Sequence, residues 1–332
     1  MKFFNLSNVR SKQFITAVLS AATVIVILLF IIFGQFSSNL HSSQGFYFDT
    51  VTSITIYDRI SDRKASSLFQ NINSMMAHYE NLFSRTNTSS EIYAVNHSSG
   101  QKISISCETG ELIRYGLDFA ALSNGTVDPT VGALSTLWNI GSSNNDSIPT
   151  EEEIAAALAT VDYHNVILEK KDSSYDIQLT NPDTMLDLGF IAKGYIADKI
   201  KEYLKSQGIK SAIINLGGNV LTIGHKPGKD CFYVGIKDPD NTTATIHTVS
   251  VDDLSVVSSG DYERYVDVDG QRYHHILSTA TGYPAESDIH QVTIVSESSL
   301  EGDALSTLCF ILGKEEASEF IKQNYPDIQI LF

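Results

Sequence analysis

The chain has 332 residues and a formal net charge of −16 with histidine taken as neutral. Such an acidic surface makes nucleic acid and anionic lipid poor partners. The three cysteines, Cys107, Cys231 and Cys309, are dispersed, which excludes a disulfide framework and leaves at least one thiol unpaired within the chain.

The N-terminal segment predicts a membrane anchor. Lys2, Arg10 and Lys12 precede an uncharged, apolar run over residues 14–34, and about twenty such residues can cross a bilayer. The run lacks the small-residue cleavage site of a secretory signal and has no nearby cysteine to carry a lipid. Because all the early charges are basic, we expect residues 1–13 in the cytoplasm, an uncleaved transmembrane helix over 14–34, and the rest outside.

The part of the chain beyond the anchor is interpreted as a polar linker over residues 35–45 and a domain over residues 46–332. This part carries all 39 Asp and Glu residues. Without the three basic residues that precede the anchor, its net charge is −19. Its length is enough for one large domain with a substantial core.

Hydrophobic periodicity predicts the elements of this domain. A strand spans residues 46–57, with Ile54 and Ile56 on one face. Helices follow over residues 65–83 and 108–123, and Thr150 and Glu153 have the spacing of a capping box that begins a third. Further strands are predicted near residues 166, 177, 185, 212–216, 232–236, 245–249 and 291–295. Because strands and helices alternate irregularly, we expect an α+β fold rather than a doubly wound sheet.

The stretch LDLGFIAKGYIAD, which begins at Leu186, predicts a strand end, a loop at Gly189 and a helix that stops at Gly208. A helix start offers free N–H groups to an anion, and here Asp187 and Lys193 lie beside it. This pattern fits a seat for a phosphate or a metal-bound phosphate. It also fits a capping aspartate and a solvated lysine.

The paired glycines Gly217 and Gly218 follow a predicted strand and have two interpretations. They form either a nest of N–H groups around an anion or a sharp turn. The chain contains neither GxGxxG nor GxxxxGK[ST], so neither full nucleotide-binding signature is present.

Two adjacent histidines follow a predicted hairpin turn at Asp269 and Gly270. Successive side chains of a strand point to opposite faces, so His274 and His275 cannot both face one site. This spacing argues against their chelating a single zinc ion. It leaves one of them free for chemistry while the other packs or faces water.

Asp303 and Thr307 lie one turn apart in a predicted helix. Their oxygens can both face a hard cation such as Mg²⁺. Alternatively, Asp303 favours a helix N-terminus while Thr307 bonds back to a carbonyl oxygen.

Seven motifs in order carry a family resemblance. They are DPTVGALSTLW from Asp128, LDLGFIAKGYIAD from Leu186, INLGGN from Ile214, SSGDYERY from Ser258, RYHHI from Arg272, TGYP from Thr281 and EGDALST from Glu301. Together they resemble the ApbE family of FAD:protein FMN transferases, over residues 46–313. The resemblance implies an α+β, T-fold-like domain of mixed sheets with packed helices.

The family transfers the FMN half of FAD to a Ser or Thr hydroxyl of another protein and releases AMP, with a divalent cation, usually Mg²⁺. The resemblance implies metal ligation by the Ala192 carbonyl, Asp303 and Thr307, and makes His275 the catalytic candidate. Other residues in motifs that border flavin and pyrophosphate are Asp187, Gly189, Lys193, Ser259, Gly260, Asp261 and Tyr262. The implied partners are FAD and an exported or membrane redox protein that bears the acceptor hydroxyl.

The sequence departs from the family pattern at three places. Ser278, Thr279 and Ala280 replace a common Asp-Pro-Arg run, Thr86 stands where many relatives have an aromatic residue beside the flavin, and Val127 replaces a common Phe. Two other functions remain open at this stage. One is an FAD pyrophosphatase that yields FMN and AMP, and the other is a flavin-binding surface protein without turnover.

Overall fold

The computed structural model describes residues 40–141, 148–241 and 243–332. The predicted anchor over residues 14–34 lies outside them. None of the helices in these ranges combines the length with the apolar character that a bilayer span requires.

A seven-stranded sheet forms the centre of the domain, in the order β1-β2-β6-β7-β10-β13-β14. Its ladders are all antiparallel. Strands β3, β5 and β4 form a small second sheet, and β8–β9 and β11–β12 are hairpins. The strands are β1 His41–Tyr47, β2 Thr50–Ile56, β3 Ile103–Ser106, β4 Val166–Lys170, β5 Ser174–Leu179, β6 Ala212–Leu216, β7 Asn219–Ile223, β8 Phe232–Lys237, β9 Thr245–Val251, β10 Ser255–Gly260, β11 Tyr265–Val268, β12 Gln271–His274, β13 Gln291–Ser296 and β14 Gln329–Leu331.

The helices pack chiefly on one face of this sheet. They are α1 Asp62–Phe83, α2 Glu91–Asn96, α3 Cys107–Leu122, α4 Gly132–Trp138, α5 Glu151–Leu158, α6 Ala192–Ser206 and α7 Ser299–Asn324. Helices α1, α6 and α7 bury their apolar faces against the sheet in the main core, while the β8–β9 hairpin covers part of the opposite face around Phe232 and Val256. The α+β expectation is therefore confirmed. The described ladders, however, are antiparallel rather than mixed, and an isolated bridge between Val131 and Met185 is parallel.

The first hairpin corrects two predicted boundaries. Strand β1 begins at His41, inside the segment interpreted as a linker, and the strand predicted over residues 46–57 is instead the end of β1, a turn and β2. The turn residues Phe48 and Asp49 have φ of 53° and 56°. Because this left-handed conformation is unusual for residues other than Gly, Asn and Asp, periodicity alone did not reveal a turn at Phe48. Ile54 and Ile56 share the buried face, as expected.

Several other boundaries were predicted correctly. Helix α5 begins with the capping box of Thr150 and Glu153, and α6 ends just before Gly208 with its φ of 80°. The strand predicted near Met185 is only the isolated bridge. The Met185 carbonyl accepts a hydrogen bond from Gly132 N, at the start of α4.

Helices α6 and α7 approach closely at Gly194. A Cβ atom at this position would lie 2.3 Å from Ser299 O and 2.7 Å from Leu300 Cα. Only glycine allows this contact between backbones. Asp198, one turn further along α6, accepts hydrogen bonds from the N–H groups of Ser299 and Leu300 and so caps the start of α7.

Candidate active site

A cleft of about 830 Å³ opens where the β1–β2 turn, the Gly217–Gly218 turn and the starts of α6 and α7 meet. This volume lies within the usual range for small-molecule sites. Ten of the twelve predicted site residues line it, namely Thr86, Asp187, Gly189, Ala192, Lys193, Ser259, Tyr262, His275, Asp303 and Thr307. Gly260 and Asp261 do not line it.

Asp303 is the most buried ionisable residue of the cleft, with its side chain 4% exposed. Its Oδ2 accepts a hydrogen bond of 2.9 Å from Gly194 N, and Lys193 Nζ lies 3.3 Å from Oδ1. Burial raises the pKa of the Asp303 carboxyl, although the Lys193 charge and the Gly194 N–H act in the opposite direction. The close contact of α6 with α7 thus places a carboxylate at the start of α6.

Thr307 lies one turn after Asp303 and also faces the cleft. Its hydroxyl donates to Asp303 O over 3.3 Å, which is the back-bonding alternative that the sequence left open. The lone pairs of Thr307 Oγ1 remain available to a cation. A carboxylate, a hydroxyl and the Ala192 carbonyl make a hard-oxygen donor set, the chemistry that Mg²⁺ prefers while keeping several waters or phosphate oxygens. The described part of the chain has no group of three or more His, Cys, Asp or Glu side chains that could hold a metal ion by themselves.

The two histidines point in opposite directions, as their spacing predicts. His274 is buried, its Nε2 contacts Ala285 O at 3.0 Å and its ring meets Phe310 edge-on. His275 instead lines the cleft, with Nδ1 3.2 Å from Arg264 O. Because a carbonyl oxygen only accepts, Nδ1 carries the proton and Nε2 has a free lone pair.

The environment of His275 keeps its imidazole neutral. The ring is exposed inside the cleft, yet protein surrounds the cleft on most sides. Desolvation lowers the pKa of His275, and the positive charges of Arg264 and Lys193 lower it further. A neutral imidazole at physiological pH is able to accept a proton.

Arg264 and Glu263 belong to the cleft but were not singled out from the sequence, although both lie within SSGDYERY. The Arg264 guanidinium donates to the carbonyl oxygens of Phe48 and Asp49 and so holds the left-handed turn. Glu263 is exposed within the cleft and faces the Gly218 backbone. Desolvation by the surrounding protein raises the pKa of its carboxyl, although the charges of Lys193, Lys237 and Arg264 lower it. The missed signal is the position of both residues directly after the strand that carries Ser259.

Asp187 is held by protein groups at the cleft wall. Its Oδ2 forms an ion pair of 3.2 Å with Arg85 Nε, and its Oδ1 accepts from Gly189 N at 2.9 Å. Arg85 precedes Thr86 at the end of α1, and its guanidinium also donates to Thr136. The pair therefore joins the loop before α6 to the end of α1 and to α4.

Of the remaining residues of the SSGDYERY motif, Ser259 and Tyr262 line the cleft, whereas Gly260 and Asp261 lie beside it. Ser259 Oγ lies 2.8 Å from Ser306 Oγ, which ties β10 to α7. Asp261 bonds to His290 at 2.8 Å, away from the cleft. Gly260 has no room for a side chain, since a Cβ atom would lie 2.6 Å from His290 O. Burial raises the pKa of the Tyr262 hydroxyl, which stays protonated as a hydrogen-bond donor.

Gly217 and Gly218 form a sharp turn, with φ of 63° and 93°. Gly217 N donates to Val51 O and Gly218 N donates to Asn215 Oδ1. Both N–H groups are therefore already paired, which favours the turn over the anion nest. The turn brings backbone close to Glu263 at the cleft edge.

Comparison with known proteins shows the family to which the chain belongs. The model of the ApbE family matches residues 48–332. The chain is 36% identical over 270 residues to an FAD:protein FMN transferase of Klebsiella pneumoniae, covering 81% of each chain. It is 33% identical over 296 residues to an FAD:protein FMN transferase of Treponema pallidum, covering 85% of this chain and 81% of the relative.

Solved structures show the same fold. The crystal structure of the ApbE protein from Thermotoga maritima superposes with a TM-score of 0.79 at 32% identity and covers 88% of this chain and 94% of that one. The flavin transferase ApbE from Vibrio cholerae gives a TM-score of 0.74 at 26% identity, with 88% and 93% covered.

Proposed function

Because the chain belongs to the ApbE family, we propose that it is an FAD:protein FMN transferase that uses Mg²⁺. The names of the relatives support the activity. The observation that carries the assignment to a site is the convergence of His275, Asp303 and Thr307, from distant parts of the sequence, on one cleft.

The reaction replaces the phosphoanhydride bond between the two phosphates of FAD with a phosphoester bond to the acceptor. The acceptor Ser or Thr oxygen bonds to the phosphorus of the FMN half, the pyrophosphate P–O bond breaks, and AMP leaves. Mg²⁺, when bound, supplies positive charge that neutralises the phosphate oxygens. Asp303, Thr307 and the Ala192 carbonyl are the groups that would hold it.

His275 is proposed as the general base. Its Nδ1–H is held by Arg264 O at 3.2 Å, so its Nε2 lone pair is available to the hydroxyl proton of the acceptor. The buried Asp303 is separate from this role, because its carboxylate is fixed by Gly194 N and is assigned to the metal ion.

We propose further that the anchor over residues 14–34 holds the domain outside the cytoplasmic membrane, where its acceptor would be an exported or membrane redox protein. The basic residues that precede this run support this orientation, and the absence of charged residues within it supports a membrane span.

One experiment separates the three candidate functions. The protein is incubated with FAD, Mg²⁺ and an acceptor flavoprotein, and flavin fluorescence is followed after denaturation. Transfer leaves fluorescence on the denatured acceptor, pyrophosphatase activity gives free FMN, and a binding protein leaves intact FAD. Fluorescence that never stays with the acceptor would contradict the proposal.

A further inference from the structure

Lys193 and Asp303 form the one ion pair of the described residues in which both partners line the cleft and the carboxylate is almost fully buried. Lys193 lies in the first turn of α6, with its side chain 25% exposed, and Asp303 lies on α7 with its side chain 4% exposed. The buried carboxylate needs a counter-charge, because an unpaired charge in such a site is strongly unfavourable.

The contact is loose on the lysine side. Lys193 Nζ lies 3.3 Å from Asp303 Oδ1, 3.5 Å from Oδ2 and 3.3 Å from Gly189 O. Charge-assisted hydrogen bonds of this type are usually about 2.7–2.9 Å long. Gly194 N, by contrast, holds Oδ2 at 2.9 Å. Gly194 N therefore fixes the Asp303 carboxylate, whereas the Lys193 ammonium contacts it without a short hydrogen bond.

We propose that Lys193 is an exchangeable counter-charge for Asp303. It neutralises the carboxylate in the metal-free protein, and it withdraws when a divalent cation binds to the same oxygens. The freed ammonium remains on the cleft wall, where it can approach a phosphate oxygen of the substrate. This inference rests on the metal site of the proposed function and makes Lys193 a positioning residue for it.

The exchange predicts a stability effect that depends on the metal. Lys193→Met in the full-length protein should lower the thermal midpoint by about 3 °C or more in EDTA, because the buried carboxylate loses its partner. In saturating Mg²⁺ the same variant should unfold within about 1 °C of the parent. If Lys193→Met cannot be isolated folded in EDTA, purification in Mg²⁺ should recover it.

Lys205→Met is the matched control. Lys205 lies on the same helix and pairs with Asp253 at 2.7 Å, away from the cleft lining. Its loss should change the midpoint equally with and without Mg²⁺. Metal binding is followed separately by the EPR signal of Mn²⁺, which Lys193→Met should bind at least as tightly as the parent.

Three results would contradict the proposed exchange of Lys193 for a metal ion. An equal loss for Lys193→Met in both conditions would mean that the pair persists in the loaded protein, and no loss in either would mean that the lysine is not the counter-charge. Both overturn the exchange and leave the proposed function in place. A parent protein that binds no Mn²⁺ would overturn the metal site of the proposed function as well.

Discussion

The proposed metal site depends on Asp303. Its carboxylate is buried, accepts a hydrogen bond from Gly194 N and lies beside the ammonium of Lys193. Asp303→Asn keeps the side-chain size and an oxygen for Gly194 N but removes the charge. We expect FMN transfer to fall by at least about a hundredfold while circular dichroism shows a folded protein. Transfer at the parent rate across low Mg²⁺ concentrations would show that Asp303 is not a ligand.

The two histidines give a paired test at the same scale. A general base contributes about 10²- to 10⁴-fold to a rate, so His275→Ala should lose at least about a hundredfold in single-turnover transfer with FAD still bound. His274→Ala removes a buried ring that contacts Phe310 and should lower stability, yet its transfer should stay within about tenfold. A larger loss in rate at His274 would reverse the assignment.

The lowered pKa of His275 predicts how the rate of transfer and the stability of the protein depend on pH. Because desolvation, Arg264 and Lys193 all disfavour the imidazolium, the folded protein keeps this ring neutral below the ordinary histidine range. The acid limb of kcat/KM for FAD, which reports the free enzyme, should therefore lie below pH 6.5. His275 binds a proton more readily in the unfolded chain than in the folded protein, because folding lowers its pKa. The free energy of unfolding should therefore decline as the pH falls below 6.5. An acid limb centred at pH 6.5 or above would contradict the assignment.

At the scale of elements, the site depends on how closely α6 and α7 pack. Gly194→Ala would place a Cβ atom 2.3 Å from Ser299 O, a backbone atom that cannot rotate away. Overpacking of this kind costs about 1–3 kcal/mol, and we expect a loss of stability together with weaker metal binding as Asp303 moves from Gly194 N. Urea unfolding and Mn²⁺ EPR measure the two effects.

Gly116→Ala is the control for that substitution. Gly116 is also a buried glycine within a helix, but its added Cβ would first meet Ile191 Cδ1 at 3.3 Å, the end of a side chain that can shift. Its unfolding free energy should change by less than about 1 kcal/mol. Equal losses for the two variants would mean that general packing, rather than the α6–α7 contact, explains the effect.

The elements also show what sequence patterns can and cannot predict. Helices with strong periodicity or explicit caps, such as α1, α5 and α6, were located to within a few residues because local chemistry specifies them. The β1–β2 turn was missed because Arg264, more than two hundred residues away, holds Phe48 and Asp49 in a left-handed conformation. Tertiary contacts of this kind leave no trace in local composition.

For the whole molecule, ten of the twelve site residues predicted from the sequence line the cleft. The motifs could not separate residues that face the cleft from those that support it. Asp198 ends the LDLGFIAKGYIAD stretch but caps α7 and does not line the cleft. Asp128 of DPT lines the cleft, yet its carboxylate accepts hydrogen bonds from Thr130 and Tyr163. Only the tertiary contacts reveal this difference.

The segment of Ser278, Thr279 and Ala280, where the sequence departs from the family resemblance, is held by polar contacts within the protein. Thr279 donates to Gly125 O and Ser278 accepts from Ala280 N, so the segment fastens the loop after β12 to the loop after α3.

The extent of the folded unit predicts how the chain tolerates truncation. A variant that begins at Leu40 keeps the whole of β1 and should transfer FMN like the full-length protein. A variant that begins at Gly45 loses more than half of β1 and its pairing with β2, so its thermal midpoint should be lower. Equal midpoints for the two variants would show that β1 adds nothing to the stability of the domain.

The most direct measurement of the central claim compares two products of one reaction. The protein is mixed with FAD, Mg²⁺ and an acceptor flavoprotein, and AMP is quantified beside acceptor that carries FMN on a mapped Ser or Thr. A transferase predicts one AMP for each flavinylated acceptor, and both products should disappear together in His275→Ala. AMP that accumulates with free FMN, while the acceptor stays unmodified, would contradict the account.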